Sequence, residues 1–140
     1  MVQILDYQAV EPQSTFNPGV AFPIPQAPFK ILLASIQINI PGTASRNNNV
    51  ELLASVGVAG VTNISQLVFR IFRNGQEIYN TQNGVESTGS EQNYIFTFQA
   101  IDFNLIAGAN FYQVFVENVT PGTQASIVGP ISFSGLAIKS

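Results

Sequence analysis

The run Leu67-Val68-Phe69-Arg70-Ile71-Phe72-Arg73-Asn74-Gly75-Gln76-Glu77-Ile78-Tyr79-Asn80-Thr81 decides the fold. Leu67, Phe69 and Ile71 alternate with Val68, Arg70 and Phe72, the period of two that belongs to a β-strand. Asn74-Gly75 follows directly, and type I′ hairpin turns need positive φ at two successive positions, which Asn and Gly supply. Gln76 to Thr81 is then the return strand. Upstream, Ile36, Ile38 and Ile40 alternate with polar residues and stop at Pro41-Gly42. Val50, Leu52, Val56 and Val58 follow the loop Arg46-Asn47-Asn48-Asn49. Downstream, Asn83-Gly84 reads as a second turn, and Tyr94, Phe96 and Phe98 mark the next strand. Phe111 to Val119, the turn Pro121-Gly122 and a bent strand from Ala125 to Ile138 complete the series; Ile101 to Ala107 has room for a single helical turn. About eight short strands at this spacing predict an all-β protein, an antiparallel jelly-roll β-sandwich.

The first 29 residues read differently. Pro12, Pro18, Pro23, Pro25 and Pro28 fall here, five of the chain's 8 prolines. Proline fixes φ and pushes its predecessor towards extended backbone, so the stretch predicts an extended arm (1–29) ahead of a sandwich domain (30–140). Its first ten residues have the pattern of a short strand. Phe16, Phe22, Ile24 and Phe29 are more apolar anchors than a solvated linker carries, and are expected to hold the arm in a groove of a neighbouring subunit.

Two predicted strands are apolar on both faces. In Leu67 to Phe72, Val68 and Phe72 back the Leu67 face, and in Phe111 to Val116 both parities are apolar. A sandwich strand in a monomer requires one apolar face, and a second left in water is adhesive. A neighbouring copy or the N-terminal arm is expected to cover it, with the chain's own loops as the bland alternative. Phe69, Phe72, Tyr94, Phe96, Phe98, Phe111, Tyr112 and Phe115 are the expected core and inter-subunit packing residues.

Composition argues against chemistry. The chain has no His, Cys or Trp, and 9% of its 140 residues are charged, against about 25% in ordinary domains. Thiolate and imidazole catalysis, soft-metal sites and disulfides are excluded. No catalytic residue, metal site or cofactor is expected. Thirteen Asn and twelve Gln supply polarity in place of charge, which lets identical surfaces approach without repulsion. A net charge of −3 with scattered cations argues against nucleic acid, and no apolar run reaches a membrane span. The first residues lack a basic n-region, so no cleaved secretory signal is expected.

The remaining polar features have ordinary readings. Arg70, Arg73 and Glu77 flank the hairpin and read as a rim ion pair before an anion clamp. Asp102 and Glu117 read as solvated strand ends before a hydrolytic carboxylate pair, and Glu86 and Glu91 as loop charges before a calcium site. Gly57-Val58-Ala59-Gly60 lacks the lysine and helix of a phosphate loop and reads as a strand bend.

Leu105-Ile106-Ala107-Gly108-Ala109-Asn110-Phe111-Tyr112-Gln113-Val114 resembles the segment entering the penultimate strand of tumour-necrosis-factor-like and complement-type heads, without their usual aspartate after the glycine. Ser132-Phe133-Ser134-Gly135-Leu136-Ala137-Ile138 is similar to the closing strand of that superfamily. Ile4-Leu5-Asp6-Tyr7-Gln8-Ala9, Val68-Phe69-Arg70-Ile71-Phe72-Arg73-Asn74-Gly75 and Gln99-Ala100-Ile101-Asp102 resemble exosporium protein C and the endospore appendage subunits of bacilli. That resemblance implies a trimeric jelly roll on a spore surface, stacked into a layer or fibre with copies of itself and other spore-surface proteins. The alternative is a lectin-like or receptor-binding trimeric jelly roll, or a capsid or tail component.

Overall fold

A computed structural model describes residues 1–89 and 92–139. Nine strands follow one another: β1 (Gln3–Gln13), β2 (Phe22–Pro23), β3 (Ile31–Ile40), β4 (Asn49–Thr62), β5 (Ser65–Arg73), β6 (Gln76–Val85), β7 (Asn93–Phe103), β8 (Gly108–Asn118) and β9 (Gln124–Lys139). Two sheets result, β1-β9-β4-β7 with β2 also on β9, and β3-β8-β5-β6. The pairs β5/β6, β4/β7, β3/β8 and β1/β9 are all antiparallel and nest around one hairpin. That nesting is the jelly roll, and its innermost turn is Asn74-Gly75.

The turn behaves as its chemistry demands. Asn74 (φ 50°) and Gly75 (φ 84°) occupy the left-handed region, and Arg73 pairs with Gln76 across them. Asn83-Gly84, expected as a second turn, lies inside β6 opposite Leu67 and Gln66. The ladder begun at Arg73–Gln76 continues to Ser65–Val85, and its cross-strand hydrogen bonds outweigh a local turn preference. The stretch 101–107, which has room for a helical turn, forms none. Ile101 to Phe103 end β7, and the Asn104 N–H donates to the Asn48 carbonyl, 2.8 Å away.

The period-two readings translate into burial. Ile36, Ile38 and Ile40 point into the core while Ser35, Gln37 and Asn39 face water. Leu52, Phe69, Ile71, Tyr112 and Phe133 meet them from the remaining strands and are fully buried. Phe69 lies against Phe96 and Phe98, with ring centroids 5.8 and 5.3 Å apart, in the range where aromatic pairs add to plain burial.

The structure departs most from expectation in the first 29 residues. β1 is a sheet strand, paired with β9 from Gln3–Lys139 to Gln13–Ile131 with register shifts after Ile4 and after Val10, and Leu5 and Val10 pack against the core. The Ile24 N–H donates to the Ala125 carbonyl and its side chain is 4% exposed, inside this chain's own core. Phe22 is half-buried opposite Ile127, whereas Phe16 and Phe29 stand in water. The division expected at 29/30 therefore does not separate an arm from a domain here: the extended stretch supplies a jelly-roll strand and then straps along β9. Extended backbone was legible from the prolines. The surface it lies on is a tertiary property.

Candidate functional site

Apolar rows, ion-pair networks and a cleft bearing arginines lie on two outer faces and one end of the sandwich. On the outer face of the first sheet, strand register lines side chains into rows. Ile4, Ile138, Asn49 and Phe103 form one row, and Tyr7, Leu136, Glu51 and Ile101 the next. Ala9, Ser134, Leu53 and Gln99 form the third, then Ser132, Ser55 and Thr97, where the last two share a 2.8 Å hydroxyl hydrogen bond. Ile95 is 64% exposed, Phe103 58% and Leu53 48%. Glu51 is the one formal charge in these rows. A broad apolar and hydroxyl surface with so little charge is the kind that marks an interaction site.

The outer face of the second sheet carries the residues expected to present a second apolar surface. Here the chain covers much of it. Val68 is buried, and Phe72 and Phe115 are half-buried against each other edge to face at 5.3 Å. The Lys30 ammonium sits over both rings, 5.3 and 5.2 Å from their centroids. Phe111 remains exposed, while Tyr94 and Phe96 are half-buried against the core and Phe98 and Tyr112 lie within it. The more open apolar surface is thus the β1-β9-β4-β7 face, which the sequence reading did not single out. A signal existed: Ile95, Ile101 and Phe103 alternate with the aromatic parity of Tyr94 to Phe98.

Arg70 links Glu77 and Glu117 on this face, with the Glu77 bond at 2.9 Å. Its hydrogen bond with Glu117 is the main reason the guanidinium is held above its ordinary range, against the opposing effect of burial. Burial pushes the Glu77 carboxyl up, but hydrogen bonds from Asn80 and Arg70 outweigh it and leave the group below its ordinary value. Glu117 is 6% exposed, not a solvated strand end.

The end of the sandwich gathers a second network. Arg73, expected beside Glu77, instead reaches Asp102 of β7, its Nη1 2.6 Å from both carboxylate oxygens. The Tyr112 hydroxyl donates to Asp102 Oδ2 at 2.8 Å. Asp102 is therefore buried and fully engaged, correcting the reading of a solvated strand end. Burial, and then the Asp102 charge and hydrogen bond, drive the Tyr112 hydroxyl far above its ordinary value. Beside this network lies a cleft of about 300 Å³, walled by the loop before β4, the β5–β6 turn and the β7–β8 loop.

Gly57 to Gly60 lie within β4, where the ladder to β9 slips on either side of Val58 and Ala59, a strand irregularity as expected. Glu91 lies outside the described residues. Among the described residues no group of three acidic, His or Cys side chains is placed to hold a metal ion.

No family model matches this sequence, and no curated protein does. Among solved structures, the chain is similar to that of infectious bursal virus derived T=1 particles: TM-score 0.55, 9% identity, 96% of this chain and 35% of that one. The Gx strain of infectious bursal disease virus gives TM-score 0.54 and 8% identity over 96% of this chain and 37% of that one. A fainter likeness, TM-score 0.41 at 16% identity, covers 100% of this chain and 92% of Eiger TNF from S. frugiperda. The chain thus spans little over a third of the viral chains. At these identities the viral likeness speaks to the fold, and the fold is the jelly roll.

Proposed function

We propose that the protein is a non-catalytic structural subunit that assembles with copies of itself into a layer or fibre on the surface of a bacterial spore. The observation that carries the assembly is the outer face of β1-β9-β4-β7, with six half-exposed or more exposed large apolar side chains and one carboxylate among its central rows. The spore surface rests on the resemblance of the opening segment, the hairpin strand and Gln99–Asp102, and so does a trimer as the first unit.

Residues 1–29 serve as the connector in this reading. β1 is an edge strand tied to the body through an exposed, proline-rich stretch. Paired with the β9 of a neighbour, it would form the same ladder between subunits that it forms within one, by strand addition at a sheet edge. Phe16 and Phe29, exposed in the monomer, are the anchors left for that neighbour.

The chain's lack of cysteine gives a clean test. Leu53→Glu with Ile95→Glu should keep the circular dichroism spectrum and melting temperature while light scattering shows a fall to monomers. A wild-type chain that is itself monomeric at high concentration sinks the self-assembly reading. Ala9→Cys with Ser134→Cys places two thiols at paired positions of β1 and β9. Oxidised assemblies should give covalent ladders on a non-reducing gel. A band of single chains would show β1 closing on its own β9 and remove the connector, leaving face-to-face assembly intact.

A further inference from the structure

We propose that the cleft at the end of the sandwich is a binding site for an acidic sugar, a pyranose bearing a carboxylate. Of the five cationic side chains, Arg70 and Arg73 are in ion pairs, Lys30 lies over two aromatic rings, and Lys139 donates to the Thr43 carbonyl. Arg46 alone has no such partner among the described residues, and it lines the cleft beside Arg73. Arg73 turns one nitrogen to Asp102, and its Nε and Nη2 meet no acceptor among the described residues. Asp102, itself fixed by Tyr112, thereby holds the guanidinium in place with two donors unspent.

The rest of the wall divides into fixed and available groups. The Asn74 amide bonds the Phe111 N–H and Asn110, while Asn110 also reaches the Ile106 and Gly108 carbonyls. The Gln76 and Asn104 amides have no protein hydrogen bond among the described residues, and both line the cleft. Phe103 offers an exposed ring at its edge. Two guanidinium groups suit a planar carboxylate, available amides suit ring hydroxyls, and the face of an aromatic ring suits the C–H face of a pyranose. About 300 Å³ sits at the lower end of small-molecule pockets, enough for one ring.

Backbone conformation points to the same place. Among the described residues, four other than glycine have positive φ, and three of them line this cleft: Arg46 (59°), Asn74 (50°) and Asn104 (59°). Asn tolerates that region and Asn74 is in a hairpin turn, so two of the three have local reasons. Arg46 has none. It stands before three consecutive asparagines, any of which would fit its position with less strain, and its N–H is held by the Leu105 carbonyl at 2.8 Å. Non-glycine residues held in the left-handed region cluster at functional sites.

The test is an amide NMR titration of the full chain with glucuronate, glucose and acetate at constant ionic strength. Glucuronate should shift residues 46, 73, 76 and 104 saturably, with Kd of about 1–10 mM. Acetate should bind at least about fivefold more weakly and glucose not at all. Equal binding of acetate removes the sugar, equal binding of glucose removes the carboxylate, and no saturable shift removes the site. Arg46→Asn relieves the backbone, so its melting temperature should rise by about 2–4 °C while glucuronate affinity falls about tenfold or more. Unchanged affinity in that variant overturns the role of Arg46 and with it the proposal.

Discussion

Replacing Tyr112 by Phe removes one oxygen from the network at the end of the sandwich and tests how that network holds charge. The Tyr112 side chain is 0% exposed and its hydroxyl donates to Asp102 at 2.8 Å. A hydrogen bond to a charged group contributes about 1.5–3 kcal/mol, so Tyr112→Phe should cost about 2 kcal/mol near neutral pH. The pH dependence is the sharper part. An unfolded tyrosine ionises near its ordinary value of 10.0, whereas burial and Asp102 keep the folded Tyr112 protonated well above that. Its pKa is raised on folding, so its contribution is fully present below pH 10 and is lost as pH climbs beyond it. At about pH 11 the unfolded wild type gains about 1.4 kcal/mol from ionising this residue, a gain the Phe variant cannot make. The stability gap between the two should therefore shrink from about 2 kcal/mol near pH 8 to about 0.6 kcal/mol near pH 11. Urea unfolding of both proteins, followed by far-ultraviolet circular dichroism at the two pH values, measures it directly. Other groups that titrate in this range are common to both chains and cancel. A gap that stays constant with pH would refute the argument, because the hydroxyl would then not be held protonated by its surroundings. A gap near zero at pH 8 would show that Asp102 is satisfied by Arg73 alone.

Further predictions concern the frame around that network. Gly57→Ala places a methyl group against the Gly129 carbonyl of β9 well inside contact distance, so the chain should fail to fold or lose about 3 kcal/mol or more in urea unfolding. Glu117→Ala leaves the Arg70 guanidinium without its buried acceptor and should cost about 1.5–3 kcal/mol in the same assay. The Glu77 carboxyl is held below its ordinary value of 4.5, so its contribution is full above that pH and is lost as pH falls through the lower folded value. Glu77→Gln should accordingly flatten the acid limb of the stability profile below about pH 4.5. Deleting residues 1–13 removes β1 and the packing of Leu5 and Val10, and bares an edge of β9. That variant should unfold at lower urea and associate through the bared edge, seen as a lower midpoint with rising light scattering.

What could be read from the sequence is what depends on neighbours along the chain. The Asn74-Gly75 turn and the Ile36-Ile38-Ile40 alternation follow from backbone preferences and period-two burial, and both are in place. Asp102 and Glu117 were misjudged because their partners, Arg73 and Arg70, stand 29 and 47 residues away. A carboxylate at a strand end looks the same in sequence whether it meets water or a guanidinium. The outer face of the first sheet was missed for a related reason: it is assembled from β1, β9, β4 and β7, and no single strand displays it. Low charge, however, was legible and has a structural meaning that composition alone does not give. Arg70 and Arg73 are drawn into the two networks, one on the outer face of β3-β8-β5-β6 and one at the end of the sandwich. With those charges spent elsewhere, the rows of the first sheet are left to aliphatic side chains, aromatic rings, hydroxyls and two amides, with Glu51 as their one charge. A surface built that way repels a second copy of itself very little, and Glu51 is the residue that would set the register of two such faces, because it is the one charge in these rows and is the costliest group to leave unpaired when water leaves. Changing Glu51 to Gln should therefore keep association while loosening its salt dependence, whereas Glu51→Lys should weaken it.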